Sequence, residues 1–165
     1  AGQTKEDKRR NVENMRKEVL TDLYKQYPGS ANEIKNATGY AVFSSWNAAV
    51  IFVSAGQGFG VVVDNVSGAH TYMGMGSLGG GLGAGVKDYR AVYVFSKRHI
   101  MERFIEQGLN IGGNADAAAK ANTQGAAIGG ELVLDGIKIY QMTESGLTLQ
   151  AMIQGTKFWK DADLN

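Results

Sequence analysis

The chain has 165 residues, 44% of them hydrophobic and 20% charged, and a formal net charge of +1. That composition excludes wholesale disorder, is most simply one domain over residues 1–165 with a real core, and offers no global field for nucleic acid. The absence of cysteine excludes disulfides and thiolate sites, and the longest apolar run, residues 48–53, is far short of the roughly 20 residues of a membrane-spanning helix.

Residues 4–27 read as an amphipathic helix. Val12, Met15, Val19, Leu20, Leu23, Tyr24 and Tyr27 recur at helical spacing, while Lys5, Lys8, Arg9, Arg10, Arg16, Lys17 and Lys25 share the other side with Glu13, Glu18 and Asp22. Pro28 and Gly29 stop it. Ser30 and Glu33 carry a capping-box signature for a short helix ending near Gly39. From Tyr40 the period becomes that of strands: 40–43, 50–53 leading into a glycine run, 61–63, a turn at 64–68, and 70–75. Residues 91–95 are apolar throughout, as expected of a strand covered on both faces. Ser96 is placed to cap a helix over 97–107 with an apolar stripe of Ile100, Met101, Phe104 and Ile105, ended by Gly108. A small, polar loop segment spans 109–125. Strands are predicted at 127–134, 137–142 and 147–153, with hairpin turns at 135–136 and 144–146, before a tail over 155–165.

Strands joined by short turns, with helices at the start and middle, predict an α+β fold: a curved, barrel-like, mostly antiparallel β-sheet with an N-terminal amphipathic helix and further flanking helices. Residues 1–27 form the helix and 40–165 a glycine-rich β body. Many of the 23 glycines alternate inside apolar runs, as in Gly56-Gln57-Gly58-Phe59-Gly60 and Gly79-Gly80-Gly81-Leu82-Gly83-Ala84-Gly85. Each such strand has one bare face, which calls for close backbone approach, strong curvature or open space. Gly74, Gly76 and Gly79 match a dinucleotide fingerprint by spacing, but the glycines that follow them are incompatible with the helix such a site needs.

His70 and His99 lack metal-ligand partners at helical spacing, no Gly-x-Ser-x-Gly elbow occurs, and of Asp64, Asp88, Glu131, Asp135 and Glu144 most fall at predicted turns. Neither a catalytic constellation, a metal site nor a cofactor is expected. The basic helix suits an anionic membrane surface; the alternative, that its apolar residues pack on the sheet while its charges are solvated, stays open. Trp46 sits among polar residues between two strands. Phe158 and Trp159, flanked by Lys157 and Lys160, form either an interfacial patch or part of a tail packed on the sheet edge. The candidate lipid-contact residues are therefore Lys8, Arg9, Arg10, Arg16, Lys17, Trp46, Phe158 and Trp159.

Leu23-Tyr24-Lys25, Tyr27-Pro28-Gly29-Ser30-Ala31, Ala37-Thr38-Gly39-Tyr40-Ala41-Val42-Phe43, Gly56 to Val61, the run from Gly79 to Gly85, Tyr93-Val94-Phe95 and Gly146 to Gly155 with Asn165 occur in this order along the chain. The series resembles the SYLF domain family, in particular its bacterial lipoprotein-like branch. The resemblance implies a non-enzymatic domain that binds anionic phospholipid or fatty acid at a membrane surface. It also implies a periplasmic or outer-membrane-associated location; whether a removed leader or a lipidated cysteine precedes Ala1, or the start is an arbitrary boundary, stays open. The family's usual lysine after Val-Phe is replaced by Asn47 or Ala48, and no actin-binding segment is carried over. A structural or protein-interaction module of the cell envelope is the alternative. An enzyme on a lipid-like substrate would require a histidine beside a carboxylate in a cleft.

Overall fold

A computed structural model describes residues 4–44, 57–77, 90–108, 131–134, 136–142 and 156–165. The elements, in chain order, are α1 (Lys5–Gln26), α2 (Ser30–Asn36), β1 (Gly39–Ser44), β2 (Gln57–Asp64), β3 (His70–Ser77), β4 (Arg90–Phe95), α3 (Arg98–Gln107), β5 (Glu131–Leu134), β6 (Ile137–Gln141) and β7 (Thr156–Lys160). The strands form one antiparallel sheet in the order β5-β6-β4-β1-β2-β3-β7. The fold is α+β, and among the described residues no ladder joins β5 to β7.

The two faces of the sheet explain the apolar runs. On one face Tyr40, Val42, Phe59, Val61, Val63, Val92 and Val94 meet Val12, Met15, Val19, Leu20 and Leu23 of α1. On the other, Ala41, Phe43, Val62, Ala91, Tyr93 and Phe95 meet Ile100, Met101 and Phe104 of α3. Strand side chains alternate between faces, so β1 and β4, central and covered on both sides, are apolar almost throughout.

The sheet is strongly curved toward α3. Phe158 of β7 lies 4.9 Å, ring centre to ring centre, from Phe43 of β1 and 5.6 Å from Tyr93 of β4. Three strand spacings, about 14 Å in a flat sheet, separate β7 from β1. Only a sheet that coils around this cluster brings the rings together, and Phe104 of α3 fills its remaining side, 5.2 Å from Phe158. Gly58 and Gly60 of β2 lie on the concave face. A Cβ on Gly60 would stand 2.3 Å from both the Phe43 ring and the Val42 carbonyl oxygen. The bare face is therefore the seat of the cross-strand ring of Phe43, its register partner.

Helix ends depart from the expected caps. Thr4 accepts from the Asp7 N–H at 3.1 Å and Asp7 accepts from the Thr4 N–H, a capping box at the start of α1. Ser30 is the first residue of α2 rather than its cap: its hydroxyl donates to the Tyr27 carbonyl at 2.6 Å, and Glu33 turns to Lys138 and Tyr140 of β6. Lys97 takes the N-cap position of α3 with no side-chain bond, and the Ser96 hydroxyl donates to the Gly136 carbonyl instead. At Ser30 the competing acceptor is local, three residues back, whereas at Ser96 it is long-range, 40 residues on. Gly74 and Gly76 lie inside β3 and open no helix. The predicted strand at 147–153, the loop at 109–125 and the second glycine run at 79–85 fall outside the described residues.

Candidate functional site

Helix α1 is fastened to the sheet by polar groups as well as apolar ones. The Glu13 carboxylate meets His70 Nδ1 at 2.7 Å and accepts from the Tyr72 hydroxyl at 3.0 Å, both on β3. Its other oxygen accepts from Arg16 Nε at 2.8 Å, and Arg16 also donates to the Tyr40 hydroxyl on β1 at 3.1 Å. Asp22 accepts from Arg90 on β4 at 2.8 Å. Arg9 Nε donates to the Leu164 carbonyl at 2.7 Å, binding the start of the helix to the C-terminal tail.

This geometry sets the charge states. Burial raises the Glu13 pKa, but the bonds from His70, Arg16 and Tyr72 outweigh it and hold the carboxyl below its usual range. Burial and the bond to Glu13 push the Tyr72 hydroxyl up to about 12, so the phenol is neutral near pH 7. His70 thus stands beside a carboxylate, the arrangement from which an enzymatic reading would start. Both oxygens of that carboxylate, however, are engaged in holding α1 on β1 and β3.

A pH prediction follows from the sign of the Glu13 shift. A carboxyl with a lowered folded pKa stabilises the fold above its unfolded pKa, and that contribution is lost as pH falls through the folded value. Glu13→Gln is expected to lower stability by about 1–3 kcal/mol at neutral pH and to flatten part of the acid-induced loss that the wild type shows below about pH 5. Denaturant melts of both proteins across that range test it. Equal acid slopes would refute the assignment.

The candidate residues fall into groups. Arg10 and Lys17 are exposed on the outer side of α1, and Arg10 is paired with Asp7 at 3.0 Å. Lys8 and Arg9 are partly exposed near the helix start. Arg16 is drawn into the Glu13–Tyr40 network, its side chain 18% exposed. Phe158 and Trp159 are split by strand alternation: Phe158 is 5% exposed in the aromatic cluster, whereas Trp159 lies on the opposite face over Gly74 and is 37% exposed. Trp46 lies outside the described residues.

Sequence reasoning missed the Glu13–His70–Tyr72 group. Its members are 57 and 59 residues apart, and no local spacing announces them. The only available signal was an acidic residue beside the apolar stripe of α1. Among the described residues no group of His, Cys, Asp and Glu has the arrangement of a metal site, and no helix is long and apolar enough to cross a membrane.

No protein-family model matches the chain. It is similar to Beta cell expansion factor A of Aeromonas veronii, with 32% identity over 161 residues, 98% of this chain and 60% of that protein. The chain thus spans about 60% of the length of that relative.

Proposed function

We propose that this chain is a non-enzymatic, SYLF-like lipid-binding domain that associates peripherally with anionic phospholipid through the outer side of α1. One observation carries the reading: docking of the helix sorts its charges. Asp7 is taken up by the cap and Arg10, Glu13 by His70, Tyr72 and Arg16, and Asp22 by Arg90. Lys5, Lys17 and Lys25 remain exposed without an ion pair among the described residues, against exposed Glu6 and Glu18. Glu13 and Asp22, two of the three acidic residues that dilute the basic face in the sequence, are thus engaged by the sheet, which favours attraction to an anionic surface.

In this reading the apolar stripe of α1 stays on the sheet and does not enter the bilayer. Attachment is electrostatic and salt-sensitive. Barrel-like closure of the curved sheet and a location at the cell envelope belong to the same proposal. The Aeromonas veronii relative is named for an effect on beta cells, and a domain that engages cell surfaces is one means by which such a factor would act.

Co-sedimentation of the full chain with phosphatidylglycerol-containing vesicles at low salt tests the reading. Lys5→Gln, Lys17→Gln and Lys25→Gln together are expected to weaken binding by about 100-fold, on the basis of roughly 1 kcal/mol for each basic residue near the surface. Failure of the wild type to bind anionic vesicles would refute it.

A further inference from the structure

We infer that the β7 edge is a second membrane contact, with Trp159 as its interfacial anchor and Lys157 and Lys160 as its headgroup contacts. This rests on the lipid-binding reading above and specifies how the domain sits on the bilayer. The argument begins with the strand itself. β7 pairs with β3 through Trp159 opposite Gly74 and Lys157 opposite Gly76, and is the last strand of the sheet among the described residues.

Alternation sends Phe158 into the core and Trp159 outward. A Cβ on Gly74 would lie 2.5 Å from Trp159 Nε1 and 2.7 Å from Cε2. The indole therefore rests directly on the glycine backbone, held in place yet partly open to the outside. Its N–H makes no hydrogen bond to a described residue, which leaves the amphipathic ring suited to the bilayer interface, where tryptophan is enriched.

The charges beside it agree. Lys157, on the Trp159 face of β7, and Lys160, on the other face at the end of the strand, are exposed and form no ion pair among the described residues. Of the neighbouring acids, Asp161 accepts from the Asp163 and Leu164 N–H groups within the tail turn, and both it and exposed Asp163 lie beyond the end of the strand. The tail joins this edge to α1: Asn165 bonds both backbone groups of Tyr72, and Leu164 accepts from Arg9. The basic start of α1 and the Trp159 edge thus lie on the same side of the domain, and one anionic phospholipid surface is complementary to both.

Co-sedimentation uses the wild-type chain and single or double variants of it, and emission is read on the Trp46→Phe chain, in which Trp159 is the sole tryptophan. Adding phosphatidylglycerol-containing vesicles is expected to shift its emission to the blue, and phosphatidylcholine vesicles are not. Lys157→Gln with Lys160→Gln is expected to weaken co-sedimentation by about 30-fold, and Trp159→Phe less severely, with circular dichroism reporting that each variant is folded. Undiminished co-sedimentation of these variants with unchanged Trp159 emission overturns the inference and leaves the α1 reading standing. Absence of any vesicle binding overturns both. A blue shift on concentrating the protein without vesicles assigns the edge to a second copy of the chain and likewise overturns it.

Discussion

Replacement of Gly60 by valine is expected to abolish or nearly abolish folding, lowering stability by roughly 3 kcal/mol or more. The new Cβ would meet a backbone oxygen, that of Val42, at 2.3 Å, and the Phe43 ring at the same distance. A flexible side chain can move aside; a carbonyl in the middle of a central ladder cannot move without breaking pairing on both sides of β1. Phe43 is itself fully buried and packed against Tyr93, Phe104 and Phe158. Gly29→Ala is the control: nothing lies within 4 Å of the added atom, the backbone there is helical at φ −68°, and the variant should be neutral or more stable by a few tenths of a kcal/mol. If Gly60→Val melts like the wild type in urea, the glycine is not required for the curvature.

Phe43→Ala is expected to destabilise the domain by about 3–5 kcal/mol, a fall in Tm of about 10–15 °C for a chain of this size. The ring is fully buried and lies between β2, β4, β7 and α3. Its removal leaves a cavity on the concave face, bounded on one side by Gly60, which has no side chain to fall into it. The curvature itself rests on this contact, so the loss should extend to the β7 edge, and Trp159 emission should report a looser environment. A Phe43→Ala chain as stable as the wild type would mean that the sheet holds its shape without the aromatic cluster. The combination with Gly60→Val is informative: the smaller residue relieves the clash with the ring but not with the carbonyl, so the double variant should recover only part of the valine penalty.

Most of the elements were legible because their signals are local. The helical spacing of Val12, Met15, Val19 and Leu23 marked α1, and the unbroken apolar run at 91–95 marked a strand covered on both faces. Alternation of glycine with apolar residues announced a bare strand face. The capping expectations at Ser30 and Ser96 missed because a hydroxyl bonds whichever acceptor the fold brings nearest, and here those were the Tyr27 and Gly136 carbonyls.

What occupies the bare face was not legible. Open space, curvature and close approach give the same sequence pattern, and the choice among them depends on Phe43 and Phe158, which are neighbours only because the sheet coils. The same holds for the charges of α1. Spacing shows that basic and acidic residues are mixed along the helix, whereas docking on β1, β3 and β4 determines that Glu13 and Asp22 are consumed internally while Lys5, Lys17 and Lys25 face outward. The chain's periodicities, then, determined by themselves most of the described helices and strands and which of their faces are apolar, since those follow from backbone geometry residue by residue; β7, read from the sequence only as a tail, is a strand because β3 supplies its ladder. Only the tertiary structure decided that Phe158 is core and Trp159 surface, that the glycine face seats an aromatic ring, and that His70 is held by a carboxylate on α1. Each of those contacts joins residues far apart in the chain, and their energies exist only once the sheet has curved and the helix has docked.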